Sequence, residues 1–139
     1  MIEFKIEGDP CVKQRPRFTK VGSFVRTYNS PANVEYENWV KLCYKEVYGD
    51  KIFKENESLC ITIEAYFKVP STFSKKKTQQ ALSDEVRPAN SKDVDNIAKI
   101  VLDGLNGVAF ADDRYITSLI VKKRYSETPY VKVTIDYDK

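Results

Sequence analysis

The chain predicts an α+β fold, a single mixed sheet with two main helices packed on it. Three observations carry that prediction. Apolar and polar residues alternate at residues 2–6, 59–67 and 131–135, the period of a strand with one buried face. Apolar residues return at three- and four-residue steps along 36–47 and 97–105, the period of a helix with one buried stripe. The order is strand, hairpin, helix, strand, short helix, helix, strand, strand. Strands mixed with two main helices fit one sheet covered by helices, and a final hairpin would make part of that sheet antiparallel.

Each element follows from local chemistry. Ile2, Phe4 and Ile6 mark a first strand, which Glu7-Gly8-Asp9-Pro10 breaks. Lys20-Val21-Gly22-Ser23 reads as the turn of a hairpin whose return strand is Phe24 to Tyr28. Ser30-Pro31 is a helix start, serine as N-cap and proline at the first helical position. Tyr36, Trp39, Val40, Cys43 and Val47 then form a stripe expected to lie in the core, and the helix should stop before Gly49. Leu59 to Lys68 is a half-buried strand. Ser71 or Ser74 caps a short helix running from Lys75 to Leu82, and 87–91 is loop. Ile97, Ile100, Val101 and Leu105 form the second main helix, with Asp93 or Asp95 at its start and Gly107 at its stop. Tyr115 to Tyr125 and Tyr130 to Tyr137 are strands, and Ser126 to Pro129 is the expected hairpin turn between them.

Composition bounds the function. At 139 residues, 42% hydrophobic and 31% charged, residues 1–139 form one domain with its own core. No apolar run approaches the ~20 residues of a membrane span, and the N-terminus has no signal-peptide pattern, so no membrane partner and a cytoplasmic location are expected. Cys11, Cys43 and Cys60 lack zinc-finger spacing, and their odd number argues against a disulfide framework. Histidine is absent, which excludes His-based triads and His-ligated metals. Acid–base chemistry must then use carboxylates, Lys, Tyr, Cys or metal-bound water. The net charge of +3 is modest, but its distribution is not. From Pro10 to Tyr28 there is no acidic residue, while Lys13, Arg15, Arg17, Lys20 and Arg26 are basic. Such a stretch beside an acidic cluster points to a polyanionic partner, although a solvated hairpin has the same composition.

The acidic cluster lies in Ser91–Arg114, SKDVDNIAKIVLDGLNGVAFADDR. Asp93 and Asp95 stand at the helix start, Asp112 and Asp113 beyond its end. Helix rise alone would separate the pairs by roughly 20 Å, so the chain must double back if they are to meet on one sheet edge. Carboxylates brought together repel, and a divalent cation is the usual compensation. Oxygen ligands suit Mg²⁺, with Mn²⁺ as the alternative. Ordinary readings remain open. Asp95, Lys99 and Asp103 are spaced as an ion-pair ladder, Asp93 and Asp95 as helix-cap charges, and Asp112-Asp113 as a polar turn.

The run D-V-D-N-I-A-K-I-V-L-D-G-L-N-G followed by D-D closely resembles the RusA family of Holliday junction resolvases. Pro70-Ser71 with Phe73-Ser74-Lys75-Lys76-Lys77, and Lys13-Gln14-Arg15-Pro16-Arg17-Phe18, resemble that family in the same order. One departure is Lys92, where many relatives have proline. The resemblance implies a RusA-like fold and a Mg²⁺-dependent crossover junction endodeoxyribonuclease. Such an enzyme resolves four-way junctions by paired symmetric nicks in DNA recombination and repair, and is often carried by prophages. It further implies a homodimer. By the same resemblance Asp93, Asp95, Lys99 and Asp113 are catalytic and Asp93, Asp95, Asp112 and Asp113 hold the metal. Lys13, Arg15, Arg17, Lys20, Arg26, Lys75, Lys76 and Lys77 are expected to contact DNA, Lys92 is added as a basic residue able to touch phosphate, and Asn96 and Asp103 are expected to support. Two rivals stand beside this reading: a non-catalytic junction-binding protein, and a metal-dependent nuclease for other branched DNA.

Overall fold

The computed structural model describes every residue except Pro16 and Asn29, with the backbone alone of residues 17–19, 21 and 26–28. Its elements are β1 (Ile2–Glu7), β2 (Arg17–Val21), β3 (Phe24–Tyr28), α1 (Pro31–Tyr48), β4 (Leu59–Lys68), α2 (Lys75–Leu82), α3 (Val94–Leu105), a 3₁₀ turn (Asp113–Tyr115), β5 (Ile116–Ser126) and β6 (Tyr130–Tyr137). The expected α+β architecture is present: a four-stranded mixed sheet, in the order β1-β6-β4-β5. The hairpin β2–β3 forms a separate two-stranded sheet rather than joining it.

The helix boundaries are where capping chemistry puts them. The Ser30 side chain accepts from the Asn33 N–H, Pro31 opens α1, and Gly49 closes it at φ 60°, a conformation that favours glycine. Of the two candidate serines ahead of α2, Ser74 is the cap. The Asp93 backbone caps α3, and Asn106 and Gly107 (φ 79°) end it. Ile61, Ile63 and Ala65 of β4 meet Ile2, Phe4 and Ile6, Val131, Val133 and Ile135, and the α3 face Ile97, Ile100, Val101 and Leu105 in one buried cluster.

Two expectations fail. Residues 126–129 do not turn a hairpin between paired strands. β5 pairs parallel with β4, β6 pairs antiparallel with β4 on its other side, and β4 lies between them. The link still reaches. Two strand spacings are about 9.6 Å, and Glu127, Thr128 and Pro129 span up to about 10 Å when extended. β4 is hydrogen-bonded along both flanks, which makes it an inner strand and excludes direct β5–β6 pairing. The apolar stripe of α1 is also displaced. Val40, Cys43 and Tyr44 are buried, whereas Trp39 is 41% and Val47 55% exposed. Tyr44 takes the core place assigned to the tryptophan, edge-on to Phe4 with its hydroxyl donating to the Lys51 carbonyl.

α1 crosses α3 at Gly104, where an added Cβ would stand 2.8 Å from the Val40 Cβ and 3.2 Å from the Glu37 carbonyl oxygen. Alanine gains about 1 kcal/mol of helix propensity over glycine. Overpacking a filled site costs about 1–3 kcal/mol, and Val40 is fully buried, so the cost wins. Gly104→Ala should lower the thermal unfolding midpoint, and adding Val40→Ala should recover part of the loss. Additive destabilisation by the two changes would contradict this account of the contact.

Candidate active site

α3 turns its apolar stripe inward and leaves Asp93, Asp95 and Lys99 exposed, with Asn96 half-buried. Asp93 occupies the N-cap position, yet its carboxylate makes no capping hydrogen bond, unlike the side chains of Ser30 and Ser74. No salt bridge to Asp93 or Asp95 occurs among the described residues. The helix therefore presents two carboxylates that its own fold does not use.

Lys99 is paired 3.2 Å from Asp103, one turn on, rather than with Asp95. Asp103 also receives Lys13 at 3.1 Å, and Lys13 bonds Glu37 of α1 at 3.0 Å. Burial alone would pull the Lys13 ammonium down, but Glu37 and Asp103 outweigh it and hold it above the ordinary lysine range. The Lys13 side chain is only 13% exposed, so this lysine, assigned to DNA from sequence, faces inward and ties α1 to α3. Asp103 thus pairs with both Lys13 and Lys99.

Segment 10–14 is bound to the head of α3 at several points. The Lys13 N–H donates to the Asn96 carbonyl at 2.9 Å, and Lys92 Nζ donates to the Pro10 carbonyl at 2.5 Å. Asn33, buried in α1, accepts from the Gln14 N–H at 2.8 Å and donates to the Val12 carbonyl at 3.0 Å. This segment leads directly into β2–β3. Arg15 and Lys20 are exposed there, while the side chains of Arg17 and Arg26 lie outside the described residues. Lys75, Lys76 and Lys77 are exposed on the first turn of α2, and Lys77 lies 4.2 Å above the Phe73 ring. Phe73 packs edge-on against Tyr125 near the end of β5, and Lys123 of β5 donates to the Asn90 carbonyl just before α3. The α2 lysines, the 10–14 segment and Asp93 thus share one end of the sheet.

The second acidic pair is at the other end. Asp112 caps the 3₁₀ turn by accepting from the Arg114 N–H at 2.9 Å, and Ile116 then pairs with Leu59 at the start of β4. That N–H holds the Asp112 carboxyl below the usual range. The head of α3 sits instead beside Phe67, where Lys92 and Lys123 lie over the ring. Leu59 to Phe67 is eight strand steps, about 26 Å, and α3 itself spans about 18 Å. The expected meeting of the two pairs on one edge therefore does not occur within the chain. Among the described residues no three carboxylates gather as a metal-binding group. The loop after Gly107 does turn back, but only to seat Ala109 and Phe110 in the core at the tail of α3.

All three cysteines are free thiols. Burial pushes Cys11 and Cys43 up, which keeps both protonated and argues against thiolate chemistry. No helix is long and apolar enough to cross a membrane among the described residues. Trp39 is the notable residue that sequence analysis assigned to the core and the structure places at the surface.

Residues 7–136 match the family model described as endodeoxyribonuclease RusA. The chain is also similar to the uncharacterized protein YqaN of Bacillus subtilis (strain 168), 31% identical over 136 residues, covering 96% of this chain and 94% of the relative. With its α+β architecture, its D-x-D helix head and a family match over nearly its whole length, the chain belongs to the RusA endodeoxyribonuclease family.

Proposed function

We propose that this protein is a divalent-metal-dependent endonuclease that nicks four-way DNA junctions in recombination and repair, working as a homodimer in the cytoplasm. The observation that carries the reading is the pair of uncommitted carboxylates, Asp93 and Asp95, at a helix head flanked by basic elements. Their oxygens fit Mg²⁺ or Mn²⁺, which are commonly held by one or two carboxylates together with substrate phosphate and water. The cation supplies charge neutralisation at the phosphate and lowers the pKa of water. Asp93 and Asp95 fix where it would be held. Lys99, restrained by Asp103, keeps an ammonium on the same helix for charge that develops on the phosphate.

Three lysines in the first turn of α2 oppose the helix dipole, with no acidic residue there to offset them. A phosphate at that helix end turns the conflict into attraction. Arg15 and Lys20 extend the same positive end towards DNA.

The remaining acidic pair enters through symmetry. β5 is the edge of the main sheet, and its centre exposes Leu119 (44%) and Ile120 (46%). Two copies joined antiparallel along this edge would set the start of one β5 beside the end of the other. Asp112 and Asp113 of one copy would then approach Asp93 and Asp95 of the second, giving two matched sites. A non-catalytic junction binder would have no need of free carboxylates at the helix head.

Asp93→Asn and Asp113→Asn should each abolish nicking of a synthetic four-way junction while gel-shift binding persists. Full activity in either would remove the site. Mixing the two inactive proteins should restore single-strand nicking, because half-mutant dimers regain one intact site across the interface. Mixtures that stay inactive despite subunit exchange would argue for sites built within one chain. Chelation with EDTA should stop cleavage and leave binding in place. Lys75→Gln, Lys76→Gln and Lys77→Gln together should weaken binding and flatten the log–log salt dependence by up to about 2.7, at about 0.9 per phosphate contact. An unchanged slope would take α2 out of the interface.

A further inference from the structure

We propose that the groove between segment 9–14 and the first half of α1 is a nucleobase pocket, with the Trp39 indole as its stacking face. The inference rests on the nuclease reading above and adds how a branch point would be recognised. The groove holds about 510 Å³, within the roughly 300–1,000 Å³ of small-molecule sites. Pro10, Cys11, Val12, Tyr36, Trp39 and Lys92 form its walls. Trp39 is exposed yet anchored, its indole N–H donating to the Glu7 carbonyl at 2.8 Å. An exposed aromatic fixed in orientation suits stacking at low entropic cost.

The rest of the groove favours a neutral planar ring over a phosphate. Its base is rigid, because the Asn33 amide is engaged by Gln14 and Val12. The half-buried Cys11 and Tyr36 side chains stay protonated. On the rim, Asp9 and Glu35 repel phosphate, while their carboxylates and the Gln14 amide suit the amino and ring edges of a base. Lys92 forms the wall nearest Asp93 and immediately precedes it in the chain. A base lodged here would therefore be close to the phosphate presented to the acidic pair. Bases in intact duplex must be unpaired at a few kcal/mol before they can enter, whereas bases at a branch point are released more cheaply. The pocket thus selects branched over linear DNA without reading sequence.

Trp39 is the single tryptophan of the chain, so its fluorescence reports the pocket directly. The test titrates the full-length protein, in EDTA, with a synthetic four-way junction carrying an unpaired base at the crossover, and with blunt duplex of equal length. The junction should quench Trp39 and the duplex should not. Trp39→Ala should bind the junction about 5- to 100-fold more weakly, as loss of one stacked base does, with duplex binding unchanged. Trp39→Phe, which keeps a ring, should retain most of the affinity, and it decides the matter if the alanine variant fails to fold. Unaltered fluorescence at saturating junction, or junction binding by Trp39→Ala equal to wild type, would overturn the pocket. Cleavage assays in Mg²⁺ separate the two readings. Cutting without quenching removes the pocket alone, and quenching without cutting removes the nuclease assignment alone.

Discussion

The docking of α3 on the sheet constrains everything else in this molecule. Ile97, Ala98, Ile100, Val101 and Leu105 are buried on one side of it, and Gly104 rests directly on Val40 of α1. That contact fixes the rotation of the helix, and rotation decides which residues reach solvent. Asp93, Asp95 and Lys99 point out because the stripe between them points in. The direction of the helix is fixed as well. Its head lies at the end of β5 and its tail near the start, with the 106–115 loop closing the distance. A helix running back along a strand carries the residues before it and after it to opposite ends of the sheet.

Segment 10–14 turns that docked helix into part of a surface. Its backbone and the Lys13 side chain bind α1 and α3 together, and the basic hairpin begins where it ends. The Glu37–Lys13–Asp103–Lys99 chain alternates in sign, so each group is offset by a neighbour. Removing one member would leave a half-buried charge without its partner, which costs more than losing an exposed ion pair. Its value is positional as much as energetic, since it holds the root of the hairpin against the same helix that carries Asp93 and Asp95.

Much of this was legible in the chain because it is local. Serine and proline at residues 30–31, glycine at 49 and the apolar steps of α3 specify elements through contacts within a few residues. The acidic and basic segments are equally local. What escaped is set by distant contacts. A four-residue polar link between two strand patterns reads as a hairpin, and only the insertion of β4 makes it a bridge over a strand end. Lys13 reads as one more cation in a basic run, because Glu37 and Asp103, which turn it inward, are 24 and 90 residues away. Trp39 fits the apolar stripe of α1 by spacing, but Tyr44 and Val40 fill the available volume and leave the indole outside.

The separation of the two acidic pairs bears on the proposed chemistry in one further way. A chain with all four carboxylates in one cluster would carry a complete metal site as a monomer, and its repulsion would have to be met during folding. Dividing the set lets each chain fold with Asp112 held by a backbone N–H and with Asp93 and Asp95 in solvent, none of them opposed by the other pair. In the proposed dimer the repulsion arises only when two copies meet, where a cation can offset it. Metal binding, assembly and the presence of two symmetric sites would then be one linked equilibrium. Cutting competence would come in pairs, matching the proposed four-way junction, whose resolution takes two nicks.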